Sequence, residues 1–178
     1  PKDAEFNYFL AVIFPDEDLF IMDYNRVAKD LNGMTAEEFL EKLGAIYEIE
    51  PVEEAFHPHK KAQMCMYLDG QWYRLTAPEA LFEGLDPVSR LDVSILQNNV
   101  LTPLLAIDDP RTSDRIDFVG GIRGLDELKR RVDDGWGVAF AMCPTTMDDL
   151  LAIADADMIM PPKSTWFEPK LRSGLFVH

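Results

Sequence analysis

Cysteine and basic side chains are both scarce in this sequence, and each scarcity excludes a class of protein. The two cysteines, Cys65 and Cys143, lie far apart inside apolar segments. This arrangement predicts buried free thiols rather than a disulfide framework, although a single bridge stays open. Lysine and arginine total 17 against 32 aspartates and glutamates, so the formal net charge is −15. Neither nucleic acid nor an anionic membrane surface attracts a polyanion, so we expect neither as a partner.

Long apolar runs are missing as well. No segment approaches the roughly 20 apolar residues of a membrane-spanning helix, and the first residues do not resemble a signal peptide. We therefore expect a cytoplasmic protein that does not bind membranes. The hydrophobic fraction of 47% is ordinary for a folded protein and argues against disorder. The sequence starts without Met and enters an apolar run almost at once, so we expect a fragment of a longer protein.

The first half of the chain alternates between strand and helix patterns. Apolar runs at residues 6–14 and 19–24 flank a turn signal and predict an antiparallel hairpin. Residues 35–38 form a capping box, Thr-Ala-Glu-Glu, which predicts a helix that ends near residue 43. A strand is expected over residues 45–50. The Asp69-Gly70 turn predicts a second hairpin, with strands at residues 63–68 and 71–76.

The second half has longer helical patterns. We predict helices at residues 87–101, 125–132 and 146–154, strands at residues 116–119 and 137–142, and a last strand within residues 171–177. This order predicts that at least part of the sheet is parallel or covered by helices. The fold class is therefore α+β: a mixed sheet with antiparallel hairpins and helices packed on it, in one domain over residues 1–178.

Residues 160–174 reverse the charge of the chain locally. From residue 160 onward the formal charge is +2. The remainder of the chain therefore carries −17, which gives the total of −15. Cations combined with hydroxyl groups are typical of an anion-binding site. The candidates in this segment are Lys163, Ser164, Thr165, Lys170 and Arg172. An alternative is that these cations only neutralise acidic neighbours.

Two arginines outside this segment are further candidates. Arg123 lies in a glycine-rich stretch, residues 120–124, where backbone amides can approach a phosphate. A plain strand-to-helix turn is the favoured interpretation, because the stretch matches neither the P-loop nor the dinucleotide-binding motif. Arg26 can clamp a carboxylate or phosphate with two hydrogen bonds, or form an internal ion pair.

Metal and nucleophile signals are weak. Asp108, Asp109, Asp114 and Asp117 offer oxygen ligands, but their spacing is not that of a calcium loop, and a solvated acidic loop is the simpler interpretation. His57 and His59 lack a further ligand nearby in the sequence and are expected on a loop surface. We predict no metal-binding residues and assign no catalytic residue.

Several segments together resemble the bacterial family called domain of unknown function 1015. They are residues 24–33 (Tyr-Asn-Arg-Val-Ala-Lys-Asp-Leu-Asn-Gly), residues 91–97 (Leu-Asp-Val-Ser-Ile-Leu-Gln), residues 117–121 (Asp-Phe-Val-Gly-Gly) and residues 160–171 (Met-Pro-Pro-Lys-Ser-Thr-Trp-Phe-Glu-Pro-Lys-Leu). The resemblance covers the chain in order. Members of that family are longer, so the chain looks like a C-terminal half, and the missing N-terminal half is an expected partner. A His-His-Arg-Tyr-Glu-Thr-type segment that normally lies just upstream is absent here.

The resemblance implies a link to kinases that phosphorylate free serine. It therefore implies phosphoryl transfer to serine or a related small anionic metabolite, with Mg²⁺ accompanying the phosphoryl donor. Lys163, Ser164, Thr165, Lys170 and Arg172 would then hold phosphate oxygens, with Arg26 and Arg123 as secondary clamps. The catalytic base is expected outside this chain, so the fragment alone is expected to be inactive. The alternative is a non-catalytic ligand-binding, regulatory or structural domain.

Overall fold

A six-stranded antiparallel sheet forms the centre of the protein. The structure is a computed structural model that describes residues 4–9, 11–13, 15 and 18–170. The strands of the sheet are β2 (Tyr24–Ala28), β3 (Glu48–Val52), β4 (Gln63–Leu68), β5 (Gln71–Thr76), β6 (Ile116–Gly120) and β7 (Val138–Ala141). Their order across the sheet is β3-β5-β4-β7-β2-β6. A separate two-stranded ribbon pairs β1 (Phe20–Met22) with β8 (Trp166–Glu168), and we call it the β1–β8 ribbon.

Helices cover both faces of the sheet. They are α1 (Ala36–Gly44), α2 (Asp92–Leu96), which continues into a π-helical turn at Gln97–Leu101, α3 (Leu125–Asp133) and α4 (Met147–Asp155). Alternate residues of β4 enter two apolar clusters: Met64 and Met66 pack in the cluster that includes α1 and α2, whereas Cys65 packs in the cluster that includes Leu128 of α3. A strand that is buried on both faces explains the continuous apolar run in its sequence.

The α+β class is confirmed, and the described ladders define how the strands pair. Every described pairing is antiparallel. Strands β6 and β7 both pair antiparallel with β2, which lies between them, so they run in the same direction without being neighbours. The strand-helix-strand order of β6, α3 and β7 therefore gives a helix-covered sheet, and no described strands are parallel neighbours.

The predictions that rest on short sequence motifs are confirmed. The hairpin of β4 and β5 turns at Asp69 and Gly70, which both have positive φ angles (47° and 82°), as the turn type requires. The α1 capping box forms, with Thr35 and Glu38 each accepting a backbone N–H of the other. Both cysteines are buried free thiols.

The predicted hairpin of residues 6–14 and 19–24 is wrong. The described part of the first run is a 3-10 helix at Glu5–Asn7 followed by irregular backbone. Its apolar side chains are exposed, including Phe9 (88%) and Ile13 (92%). A strand needs a partner that buries one face, and β1 pairs instead with β8, from the opposite end of the chain.

Other boundaries differ in smaller ways. The strand expected over residues 45–50 begins at Glu48, because Gly44 to Tyr47 continue the end of α1 through backbone hydrogen bonds. The helix expected over residues 87–101 begins only at Asp92. The strand predicted within residues 171–177 lies outside the described residues. Within the part of the chain that the structure describes, no helix combines the length and apolarity needed to cross a bilayer.

Candidate functional site

Arg26 is a buried cation in the middle of β2, the strand beside the edge strand β6. The residue is only 4% exposed and pairs in register with Phe118 on β6 and Phe140 on β7. Its guanidinium group donates hydrogen bonds to the carbonyl oxygens of Tyr24 and Lys163 (3.1 Å for the latter). No carboxylate oxygen of the described residues lies within ion-pair distance. Burial lowers the pKa of Arg26 to about 10, so the side chain is still charged at neutral pH.

The contact with Lys163 fixes the backbone of residues 160–170, which we call the terminal segment. Lys163 has a φ of 55°, a left-handed conformation that is unfavourable for a residue with a Cβ. The hydrogen bond from Arg26 to its carbonyl oxygen helps to stabilise this turn. Arg26 is therefore a positioning residue for Lys163, and the internal ion pair that was one alternative for Arg26 is absent among the described residues.

The terminal segment folds over the end of β2 and borders a cavity of about 700 Å³. We call it the terminal cavity. Its lining is Val12, Leu19, Tyr24, Lys163, Thr165, Trp166, Phe167, Pro169 and Lys170. The described lining contains two lysines and no acidic residue, so the charges of its own side chains favour an anion.

Aromatic rings hold both lysines of the terminal cavity. The Nζ of Lys170 lies 3.7 Å from the centroid of the Trp166 ring, and the Nζ of Lys163 lies 5.6 Å from that of Tyr24. The two rings contact each other at 5.4 Å between centroids, so both ammonium groups border one aromatic pair. Neither lysine has a carboxylate partner among the described residues. A cation held by an aromatic face keeps its N–H donors available.

The acid of this segment, Glu168, hydrogen-bonds to an aromatic residue of the cavity lining rather than to a lysine. Glu168 accepts a hydrogen bond from the indole N–H of Trp166 at 2.7 Å. Thr165 borders the cavity, and its hydroxyl makes no hydrogen bond to another described residue. Thr165 is therefore available to a ligand, together with Lys163 and Lys170.

Two of the predicted site residues, Ser164 and Arg123, lie outside the lining of the terminal cavity. Ser164 is 4% exposed, and its hydroxyl donates to the carbonyl oxygen of Pro161 at 2.7 Å, so it stabilises the turn. Arg123 is largely exposed, lies 3.9 Å from Glu127 and borders neither of the cavities beside Arg26. Arg172 lies outside the described residues.

The glycine-rich stretch does not form a phosphate cradle. A Cβ on Gly120 would lie 2.6 Å from the Trp166 ring. The amide of Gly121 already donates to the carbonyl oxygen of Asp23 at 2.9 Å. These glycines therefore permit close packing of the β1–β8 ribbon, which agrees with the interpretation of this stretch as a turn.

Arg26 also borders a second cavity, of about 500 Å³, on the side of α2. Asp108 and Asp109 line this cavity too, and Asp109 is paired with Arg111 at 2.9 Å. Cations and carboxylates therefore face each other here. For this reason the terminal cavity is the better candidate for an anion.

Sequence patterns alone missed the aromatic part of the site. Tyr24 and Trp166 belong to segments quoted for the family resemblance, but nothing in their spacing indicates that they meet. The pairing of β1 with β8 brings Trp166 to the end of β2. That contact joins residues from opposite ends of the chain, so no local pattern could have revealed it.

Fold and site together define an α+β protein with an antiparallel sheet and a cationic cavity at its edge. The chain belongs to the family described as "Protein of unknown function (DUF1015)", whose model matches residues 1–94. The matched part includes β2 but ends before the terminal segment. No curated protein matches the chain at a significant level.

Several solved structures are similar to the chain at low identity. One is a conserved hypothetical protein from Pyrococcus furiosus, with a TM-score of 0.50 and 12% identity, covering 85% of this chain and 57% of that one. Another is a free serine kinase in complex with AMP, with a TM-score of 0.47 and 12% identity, covering 85% of this chain and 54% of that one. A mutant of free serine kinase in complex with ADP gives the same values. The chain thus spans a little over half the length of these proteins.

Proposed function

We propose that the terminal cavity binds the phosphate group of a small metabolite. The observation that carries this proposal is the pair of lysines, Lys163 and Lys170, which border one cavity without a carboxylate partner among the described residues. Their ammonium groups would neutralise the phosphate, the Thr165 hydroxyl would donate a hydrogen bond, and Arg26 would hold the Lys163 backbone in place. The two aromatic rings would exclude water from one side of the ligand.

We further propose that the chain contributes this site to a phosphoryl-transfer enzyme acting on free serine or a related small metabolite, with the chain as the C-terminal half. Phosphoryl transfer depends mainly on positioning and on neutralising the charge of the transferred group, and two lysines and a hydroxyl group suit that task. The described residues contain no group of three or more His, Cys, Asp or Glu side chains placed to hold a metal, so no step is assigned to Mg²⁺.

Binding without catalysis is the second candidate function. The described lining of the terminal cavity has no carboxylate or histidine that could act as a general base. A domain that senses or stores a phosphorylated metabolite would need only the binding groups. The two candidate functions differ in whether a longer protein adds catalytic groups to this binding site.

The test of binding is calorimetric titration with inorganic phosphate. The Lys163→Gln/Lys170→Gln variant is compared with Lys42→Gln/Lys60→Gln, which removes the same charge from exposed lysines outside the cavity. We expect the cavity variant to lose at least about tenfold in affinity, equivalent to about 1.4 kcal/mol, and the control to match the wild type. Equal affinities in all three proteins would contradict the proposal.

The test of catalysis uses the full-length protein with free serine and ATP, ADP or pyrophosphate. We expect serine-dependent phosphoryl transfer with one of these donors, and a loss of kcat/KM in Lys163→Gln/Lys170→Gln. Phosphate binding without transfer from any donor would favour the second candidate function.

A further inference from the structure

A separate cavity of about 590 Å³ lies beside the first strand of the β1–β8 ribbon. We call it the Asp23 cavity. Strand β1 borders this cavity, whereas β8 borders the terminal cavity, and of the lining residues the two cavities share Leu19. Most of the lining is apolar, including Ile21, Met142 and Met147. The cavity therefore has room and apolar surface for a small organic ligand.

Asp23 is a buried carboxylate in the wall of this cavity. The residue is 7% exposed, and its Oδ2 atom is buried without a hydrogen-bond partner among the described residues. No Lys, Arg or His nitrogen of the described residues lies within ion-pair distance of it. Burying an unpaired carboxylate is costly, so such groups in folded proteins normally have a partner.

The backbone is built to admit this carboxylate. Gly121 also borders the cavity, and a Cβ there would lie 2.1 Å from Oδ1 of Asp23. Any larger residue would displace the carboxylate. The backbone N–H of Gly121 donates to the carbonyl oxygen of Asp23 at 2.9 Å, so the backbone of Asp23 is held in place while its Oδ2 atom has no partner among the described residues.

The described lining of the Asp23 cavity is unsuited to a metal or a nucleophile. The Cys143 thiol borders the cavity, and burial, followed by the charge of Asp92, raises its pKa to about 11, so the thiol stays protonated. His57 and His59 lie exposed at the rim. The described residues include no group of three or more potential metal ligands, and a hard cation needs several oxygen ligands.

We propose that the Asp23 cavity binds the ammonium group of a small organic amine. The ammonium would donate hydrogen bonds to the Asp23 carboxylate, and the carbon chain of the ligand would pack against Ile21, Met142 and Met147. This inference stands independently of the phosphate proposal, because it concerns a different cavity and the opposite charge.

The experiment titrates the wild-type protein with propylammonium chloride and follows backbone amide signals by NMR. The matched probes are 1-propanol, which has the same chain without the charge, and magnesium chloride. Asp23→Asn is compared with Asp148→Asn, which removes an exposed charge on α4. We expect the amine to shift the signals of Asp23, Gly121 and Cys143 in the wild type and in Asp148→Asn.

The proposal predicts that propylammonium binds Asp23→Asn at least about tenfold more weakly than it binds the wild type. It also predicts that 1-propanol binds the wild type no more tightly than it binds Asp23→Asn. It also predicts a melting temperature of Asp23→Asn at or above that of the wild type, because the substitution removes an unpaired buried charge. Equal amine affinity in both proteins, magnesium alone shifting these signals, or a clearly lower melting temperature or failure to fold of Asp23→Asn would each overturn it. The last result would make Asp23 a structural anchor.

Discussion

At the scale of single residues, buried charge separates the functional candidates from the structural ones. Arg26 and Asp23 are both buried without a partner of opposite charge among the described residues. By contrast, Glu127 is surrounded by Arg130 and Arg131, which hold its pKa at about 2. The Arg26 guanidinium donates to backbone carbonyl oxygens and positions Lys163, whereas Asp23 has a buried oxygen without a partner among the described residues and is the candidate for binding a ligand.

Asp92 is a half-buried carboxylate for which we expect a pH-dependent effect on stability. Burial raises its pKa from 3.8 to about 6, although the backbone N–H of Ala62 donates to it at 2.9 Å. The folded state therefore binds this proton more tightly than the unfolded state. The resulting stabilisation is complete below about pH 4 and is lost as the pH rises through 6.

We predict that Asp92→Asn removes this dependence. The amide oxygen keeps the hydrogen bond from Ala62, so the variant should gain about 2 kcal/mol in free energy of unfolding relative to the wild type between pH 4 and 7. Urea denaturation across this range measures the difference. Asp114→Asn, at an exposed site, is the control and should run parallel to the wild type. A difference that does not change with pH would show that Asp92 has an ordinary pKa.

At the scale of elements, the β1–β8 ribbon connects the sheet to the candidate site. The ribbon packs its Trp166 ring directly on Gly120, at the end of β6. The same ring contacts Tyr24 and the ammonium group of Lys170. The ring has little room to move, so the backbone of β6 fixes the position of the terminal cavity.

Gly120→Ala tests this packing. The added Cβ would lie 2.6 Å from the Trp166 ring, so we expect a loss of about 2 kcal/mol in free energy of unfolding, typical of an overpacked contact, and weaker phosphate binding. Gly44→Ala is the control, because the nearest atom to its new Cβ is 3.9 Å away. Denaturation and calorimetry check both effects. Unchanged stability and phosphate affinity in Gly120→Ala would mean that the ring does not fix the site.

The elements also show what the sequence can predict. The β4–β5 hairpin and the α1 cap depend on contacts between neighbours in the chain, such as Asp69 with Gly70, and both were predicted correctly. The apolar run that begins at Phe6 has equally strong strand propensity, yet its described part forms no strand. The difference is the partner: β1 pairs with β8 across nearly the whole chain, and propensity carries no information about distant pairing.

The same distinction, between local patterns and distant contacts, applies to the candidate site. Local charge reversal drew attention to Lys163, Thr165 and Lys170, which border one cavity. It could not distinguish Ser164, whose hydroxyl turns inward to Pro161. It also could not reveal Asp23, because a single acid after an apolar run has no distinctive pattern.

At the scale of the whole molecule, the unequal distribution of charge is the central feature. The chain has a net charge of −15, and most of its described arginines, such as Arg74 and Arg115, form ion pairs. Lys163 and Lys170 instead face an open cavity and are held by aromatic rings. An anion approaching this acidic protein would therefore be bound at a small, defined place, and its affinity would fall with salt concentration.

The most direct test of anion binding at the terminal cavity is an NMR titration of the backbone amides with inorganic phosphate at low salt. The account predicts that shifts concentrate at Tyr24 and at residues 163–170 and saturate with one affinity. They should be lost in Lys163→Gln/Lys170→Gln and should weaken as sodium chloride is added. Shifts spread over the surface, or confined to Arg123 and the residues beside it, would contradict the assignment of the terminal cavity as the anion-binding site.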